Sequence, residues 1–201
     1  MPKIVDHTTR REEIAEALWR VVRRDGIRAA SVRTIAAEAG WSAGAVRYYF
    51  PDQDGLLSFA MDLVSRRVTE RVAAIQPKGS AITIALRYLE EALPLDAERR
   101  AEFDVWMAFM AQAQAETGAG GLHAHVDTVH NGLRHLCESL LNALAADGAL
   151  EDGLDLRREV ERLHALIDGL ALHAAIQPER TTPARARQLL RHHLETLIAE
   201  Q

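Results

Sequence analysis

Arg33, Thr34, Ser42, Arg47 and Tyr48 lie in the stretch SVRTIAAEAGWSAGAVRYYF, residues 31–50, where guanidinium and hydroxyl donors alternate with the small residues Ala43, Gly44 and Ala45. Donors set among residues with almost no side chain suit contact with phosphate oxygens and base edges, because a bulky neighbour would hold the backbone away. The stretch has no paired carboxylates, and the chain as a whole has no GxSxG, no glycine-rich phosphate loop and no HExxH. Nothing organises a reaction, so the chain is expected not to be an enzyme and to need no cofactor.

Charge distribution bears on the partner. The formal charge of −5 on 201 residues argues by itself against phosphate binding. Residues 1–50 nevertheless hold nine basic against six acidic groups, so a basic head sits on an acidic body. Eight of the nine histidines fall between His123 and His193, which invites a metal reading. His123, His125 and His130 lack the i, i+4 spacing of a helix-borne pair, and His192 and His193 are adjacent and diverge. His130 and Cys137 are seven apart and could share a face, yet solvated or pocket-lining histidines are expected rather than a metal site. With Cys137 the one cysteine, no intrachain disulfide can form. The opening MPKIVDHTTRREEI lacks a signal peptide's apolar run, and no window approaches the roughly 20 apolar residues of a membrane span. A cytoplasmic protein without a membrane partner is expected.

The elements that must hold the donors follow from helical periodicity, which runs almost throughout; an all-α protein of about nine helices is expected. A first helix from near Thr9, where Thr9 and Glu12 have capping-box spacing, carries Ile14, Leu18, Val21 and Val22 and stops at Gly26. Ser31 can cap a second helix with Val32, Ile35, Ala36 and Ala39 on one stripe, and Gly40 ends it. Ser42 can cap a two-turn third helix in which Ala45, Val46, Tyr49 and Phe50 offer apolar contacts. So short a helix needs its neighbours. After Pro51 a long helix is expected at 52–75, then a loop at 76–80 and helices at about 80–93, 97–116, 121–146, 156–176 and 183–199, with breaks at GAGG 118–121, DG 147–148 and EDG 151–153.

Spacing alone fits two readings of residues 31–50: two ordinary core helices, or a helix-turn-helix whose second helix enters the major groove. The charge asymmetry favours the second. Arg47 can then read guanine or hold a phosphate, or it can pair with Glu38; Tyr48 suits a phosphate, Tyr49 the core. Trp41 can pack between helices or lie against the DNA sugar face.

Arg10 to Leu57 strongly resembles the DNA-binding domain of the TetR family of bacterial transcriptional regulators, through RREEIAEALW, the Gly26 turn, SVRTIAAEAGWSAGAVRYYF and the leucines at 56 and 57. The segments WMAFMAQA at 106–113 and DGLALHAAIQPERTTP at 168–183 look like the C-terminal domain of the subgroup typified by the choline-pathway repressor BetI. The resemblance implies a helix-turn-helix domain at 1–51 and an effector-binding and dimerisation domain at 52–201, joined by the helix at 52–75. The partners it implies are a palindromic double-stranded operator, a small-molecule effector and a second copy of the chain. One departure stands out: the family commonly has a lysine where this chain has Gln53, between Asp52 and Asp54. Either affinity is modest or Arg10, Arg28, Arg33 and Tyr48 compensate.

On this reading Arg33, Thr34, Ser42, Ala43, Gly44, Arg47 and Tyr48 are the DNA-contact candidates. Phe103, Trp106, Met107 and Met110 occupy several faces of one helix, which therefore is plain core or lines a pocket, with His130 as a further lining residue. If the ligand class carries over, Trp106, Phe109 and Asp104 would attract a cation. Leu163, Ile167, Leu170 and Ala174, with Leu190, Leu194 and Leu197, form two apolar stripes suited to a symmetric four-helix interface, or to the protomer's own core.

Overall fold

The computed structural model describes residues 7–115 and 121–199, apart from the side chains at positions 7, 8, 53, 54, 121, 122 and 124. The protein is all-α: α1 (His7–Asp25), α2 (Val32–Ala39), α3 (Ala43–Tyr49), α4 (Gln53–Ala74), α5 (Ala81–Leu89), α6 (Ala97–Ala115), α7 (Gly121–Ala146), α8 (Leu156–Ile176) and α9 (Pro183–Glu195), with 3-10 turns at Ile27–Ala29 and Glu90–Ala92.

Local chemistry sets most of these boundaries. At Ser31 the hydroxyl accepts from the Thr34 amide at 3.2 Å while the Ser31 amide donates to Thr34 Oγ1 at 2.9 Å, a reciprocal capping box. Gly40 closes α2 at φ 70°, a left-handed conformation in which Trp41 N–H reaches the Ala36 carbonyl at 2.8 Å. Ser42, Asp52, Ser80, Asp155 and Thr182 cap α3, α4, α5, α8 and α9, each side chain accepting from a first-turn amide. Three expectations shift. Because α1 is already helical at His7, Thr9 and Glu12 do not cap it. The helix expected at 80–93 leaves α geometry at Leu89 and tightens into a 3-10 turn before Pro94. The helix expected to reach 199 ends at Glu195, where Thr196 Oγ1 bonds back to the His193 carbonyl at 2.7 Å. Leu197 then turns under the body, and Leu150 and Ile198 pair as an isolated antiparallel bridge. The break expected at GAGG lies outside the described residues except for Gly121.

Two apolar clusters organise the molecule. One joins the α1 stripe Ile14, Leu18, Val21 and Val22 to Ile35, Val46 and Phe50, and is closed by Leu56, Leu57, Ala60, Met61 and Val64 of α4 and Ala101, Val105 and Phe109 of α6. The packing of the head thus continues across the expected boundary at residue 51. The other cluster holds α5, α7, α8 and α9 together around Leu89, Leu141, Leu163, Ile167 and Leu190. Among the described residues no helix is long and apolar enough to cross a membrane.

Candidate nucleic-acid interface

Val46 and Phe50 are buried in the cluster that α1, α2 and α4 build, so α3 is pinned by one side and its other side is turned outward. On that side stand Ser42, Gly44, Arg47 and Tyr48, all exposed, Tyr48 to 74 %. A Cβ built on Gly44 would meet nothing closer than Ser42 Oγ at 3.9 Å, so among the described residues nothing covers the helix at that position. A flat ligand edge can therefore reach the backbone there. Ala43 is half-buried beside it, and the Ser42 oxygen accepts from Ala45 N–H at 3.1 Å, leaving its own O–H to donate outward.

Thr34 sits differently from expectation. Its Oγ1 donates to the Ala29 carbonyl at 2.7 Å and accepts from Ser31 N–H, so the hydroxyl is engaged in fixing the start of α2. Arg33, beside it, is exposed. Glu38 is taken by Arg20 and Arg24, each at 2.8 Å, and these bonds, Arg20's first, pull its carboxyl below the usual range against burial. The alternative partner considered for Arg47 is therefore already engaged. Among the described residues, Arg10, Arg20, Arg23 and Arg24 each have an acidic partner, whereas no carboxylate lies within ion-pair distance of Arg11, Arg28, Arg33 or Arg47. Unneutralised charge on α2 and α3 thus gathers around the uncovered start of the second helix.

Sequence reasoning missed the hollow beside it. Arg10, Trp41, Ser42, Ala45, Tyr48 and Tyr49 line an open depression of about 550 Å³. The Arg10 guanidinium lies 4.8 Å over the Trp41 ring, whose edge meets Tyr49 with centroids 6.0 Å apart. Trp41 is half-buried, so it packs and also faces the hollow. No local rule links positions 10 and 41, which meet only because α1 crosses the turn. Arg11 lies 5.5 Å from Phe50 and 5.1 Å from Phe59, clamping α3 to α4. The side chain of Gln53, the position lacking the expected lysine, lies outside the described residues.

The effector candidates do not gather round one space within the protomer. Phe103 packs on the body cluster, while Trp106 packs on the head cluster and stacks on fully buried Phe109 at 6.4 Å. Met107 is exposed, Met110 half-buried, and His130 exposed with its ring 4.5 Å from that of His164. The interface candidates require correction. Leu163, Ile167, Leu170, Ala174, Leu190, Leu194 and Leu197 are all buried inside the protomer, where α8 and α9 pack on α5 and α7. What α8 leaves outside is Leu172 and Ile176, the latter 62 % exposed. Among the described residues no three His, Cys, Asp or Glu side chains come together as a metal site, and burial pushes the Cys137 thiol up to about 12.

Burial also holds the His164 and His193 imidazoles below their ordinary range. In the unfolded chain they take up protons near pH 6.5, earlier than in the fold, so stability is complete above that value and is lost as pH falls from it through the folded pKa. The melting temperature is expected to fall between pH 7 and pH 5, and a His164→Gln variant to flatten that slope. An unchanged slope, followed by circular dichroism, would show that His164 does not carry it.

Residues 14–58 match the family described as bacterial regulatory proteins, tetR family. Residues 83–199 match the BetI-type transcriptional repressor, C-terminal family. The HTH-type transcriptional regulator PksA of Bacillus subtilis (strain 168) is 40 % identical over 205 residues, spanning 100 % of this chain and 95 % of that protein. Among solved structures, a transcriptional regulator from Rhodococcus sp. Rha1 superposes with a TM-score of 0.76 at 26 % identity, covering 93 % of this chain and 95 % of that one. A protein from Saccharomonospora viridis, solved in complex with choline, gives a TM-score of 0.82 at 24 % identity over 96 % of this chain and 100 % of the other.

Proposed function

The chain belongs to the TetR family of bacterial transcriptional regulators, with a C-terminal domain of the BetI type, and from that premise we propose that it is a cytoplasmic, effector-responsive repressor that binds a palindromic operator as a homodimer. The observation that carries the operator reading is the uncovered start of α3, with Arg33 and Arg47 exposed beside it and no carboxylate among the described residues to neutralise them. Phosphates of a major groove supply the missing counter-charge, and Gly44 lets the backbone come close to base edges.

The outer face of α8 supports the homodimer reading. Ala165 and Leu172 are exposed, Gly169 is half-buried, and Ile176 ends the row, so small and apolar residues recur at helical spacing along the outer face. Two-fold pairing there presents two recognition helices to the two halves of a palindrome. The effector reading centres on α6, whose Phe103, Trp106, Met107 and Met110 with Asp104 offer aromatic rings, thioethers and a carboxylate to a small organic cation, the class to which choline belongs; these side chains and His130 do not share one space in the protomer, so ligand entry has to draw them together. Ligand there tilts α4 and changes the separation of the heads, which the fixed spacing of the half-sites penalises.

Retention of fragments from randomised duplex DNA tests this. Wild-type protein is expected to enrich two-fold symmetric sequences, with affinity falling steeply as salt rises. An Ile176→Asp variant, which puts an acid against its own copy, is expected to weaken dimerisation by about tenfold or more and operator affinity with it. Enrichment of no common sequence would reduce the chain to a helical ligand-binding protein without DNA activity.

A further inference from the structure

The first turns of α6 hold more of the molecule than their length suggests. Glu98 Oε1 accepts from Trp19 Nε1 at 3.0 Å, on α1, and from Arg67 Nη1 at 2.5 Å, on α4; Oε2 lies 3.2 Å from Arg23 Nη1, again on α1. Arg67 in turn lies 4.8 Å over the Trp19 ring and bonds Glu16 at 2.8 Å. One carboxylate of the body thus grips two helices of the head's cluster. Its neighbours grip the body: Arg99 reaches the Glu90 carbonyl at 3.0 Å, and Arg100 donates to the Ala174 carbonyl at 2.7 Å and to that of Ala175, in the last turn of α8. The apolar contacts between α6 and the head, through Ala101, Val105, Trp106 and fully buried Phe109, hold the helices together but are non-directional. The charged hydrogen bonds of one carboxylate add what that packing lacks, because each fixes a direction as well as a distance.

We infer that Glu98 is the positioning residue that sets the angle of the DNA-binding head on the body. Motion of α6, or of the end of α8 that Arg100 holds, reaches α1 directly through this carboxylate, in parallel with the route through α4. The consequence for DNA rests on the proposed operator reading; the geometry of the head does not.

The test measures that geometry without DNA or effector. Spin labels on Ala37→Cys in α2 and Ala143→Cys in α7, both exposed positions, report one intrachain distance when labelled protein is diluted into unlabelled, and buried Cys137 does not compete for label. Wild type is expected to give a single narrow distance distribution, and Glu98→Ala a broad or displaced one. Glu98→Gln, which keeps an acceptor for Trp19 and lowers the risk of misfolding, is expected to fall between, and Glu70→Ala, an exposed acid on α4, to match wild type. On DNA, Glu98→Ala is expected to blunt by roughly fivefold or more the discrimination between operators differing in half-site spacing. An unchanged distribution in Glu98→Ala overturns the assignment, as does a melting-temperature loss with spacing discrimination intact. Absence of operator binding by wild type would instead overturn the proposed function and leave the distance result standing.

Discussion

Replacing Arg47 by alanine is expected to lower operator affinity by about a hundredfold while leaving melting temperature and dimerisation unchanged. The guanidinium stands on the outward side of α3, one turn past its uncovered start, and no carboxylate among the described residues holds it. A bidentate contact to guanine is worth about 1–3 kcal/mol, and a two-fold complex loses it twice, so the range extends from about thirtyfold to about twenty-five-thousandfold. Fluorescence anisotropy on operator and on scrambled duplex separates the two ways in which Arg47 can act. If it reads a base, specific binding falls and scrambled binding hardly moves. If it holds a phosphate, both fall together and the salt dependence becomes shallower by about one unit per head. Operator affinity within twofold of wild type would remove α3 from its role as the recognition helix.

The head was legible because its determinants are local. Ser31, Gly40 and Ser42 announce their caps within four residues, and the stripes Ile14, Leu18, Val21, Val22 and Ile35, Ala36 name their buried faces by period alone. The body was legible only as helices. Periodicity says that Leu163, Ile167 and Leu170 are buried, but not whether their own chain or a second copy does it; here α5, α7 and α9 cover them, and the less apolar face with Gly169, Leu172 and Ile176 is left outside. The apolar encirclement of α6 has a similar explanation. Phe103 and Phe109 face two different clusters because the helix lies between them, so a pattern read as a pocket also describes a spacer. The polar joints were invisible, since Trp19 and Glu98 are 79 residues apart and Arg71 and Glu102 are 31 apart, and nothing in a helical period links them.

Arg71→Met is expected to destabilise the fold by about 3 kcal/mol, through the acid it abandons more than through the bonds it loses. Glu102 is only 5 % exposed, and Arg71 meets both of its oxygens, Nη1 at 2.6 Å and Nη2 at 2.5 Å, while Nε bonds Glu91 at 2.7 Å. Burial pushes the Glu102 carboxyl above its ordinary range even with the guanidinium pulling the other way. Without Arg71 the folded pKa rises further, so the fold is least penalised below the unfolded value near 4.5 and loses stability as pH rises from there through the folded pKa. The deficit is therefore largest at neutral pH and shrinks on acidification. Arg71 is itself partly exposed, which puts the effect at the lower end of what breaking a buried pair costs, and a chain of this length then melts about 6–12 °C lower. Adding Glu102→Gln removes the charge and is expected to recover more than half of the loss, a coupling that a double-mutant cycle reads directly. A single variant melting within about 2 °C of wild type at pH 7 would mean that water already solvates Glu102 and that its pair with Arg71 adds little to the joint between α4 and α6.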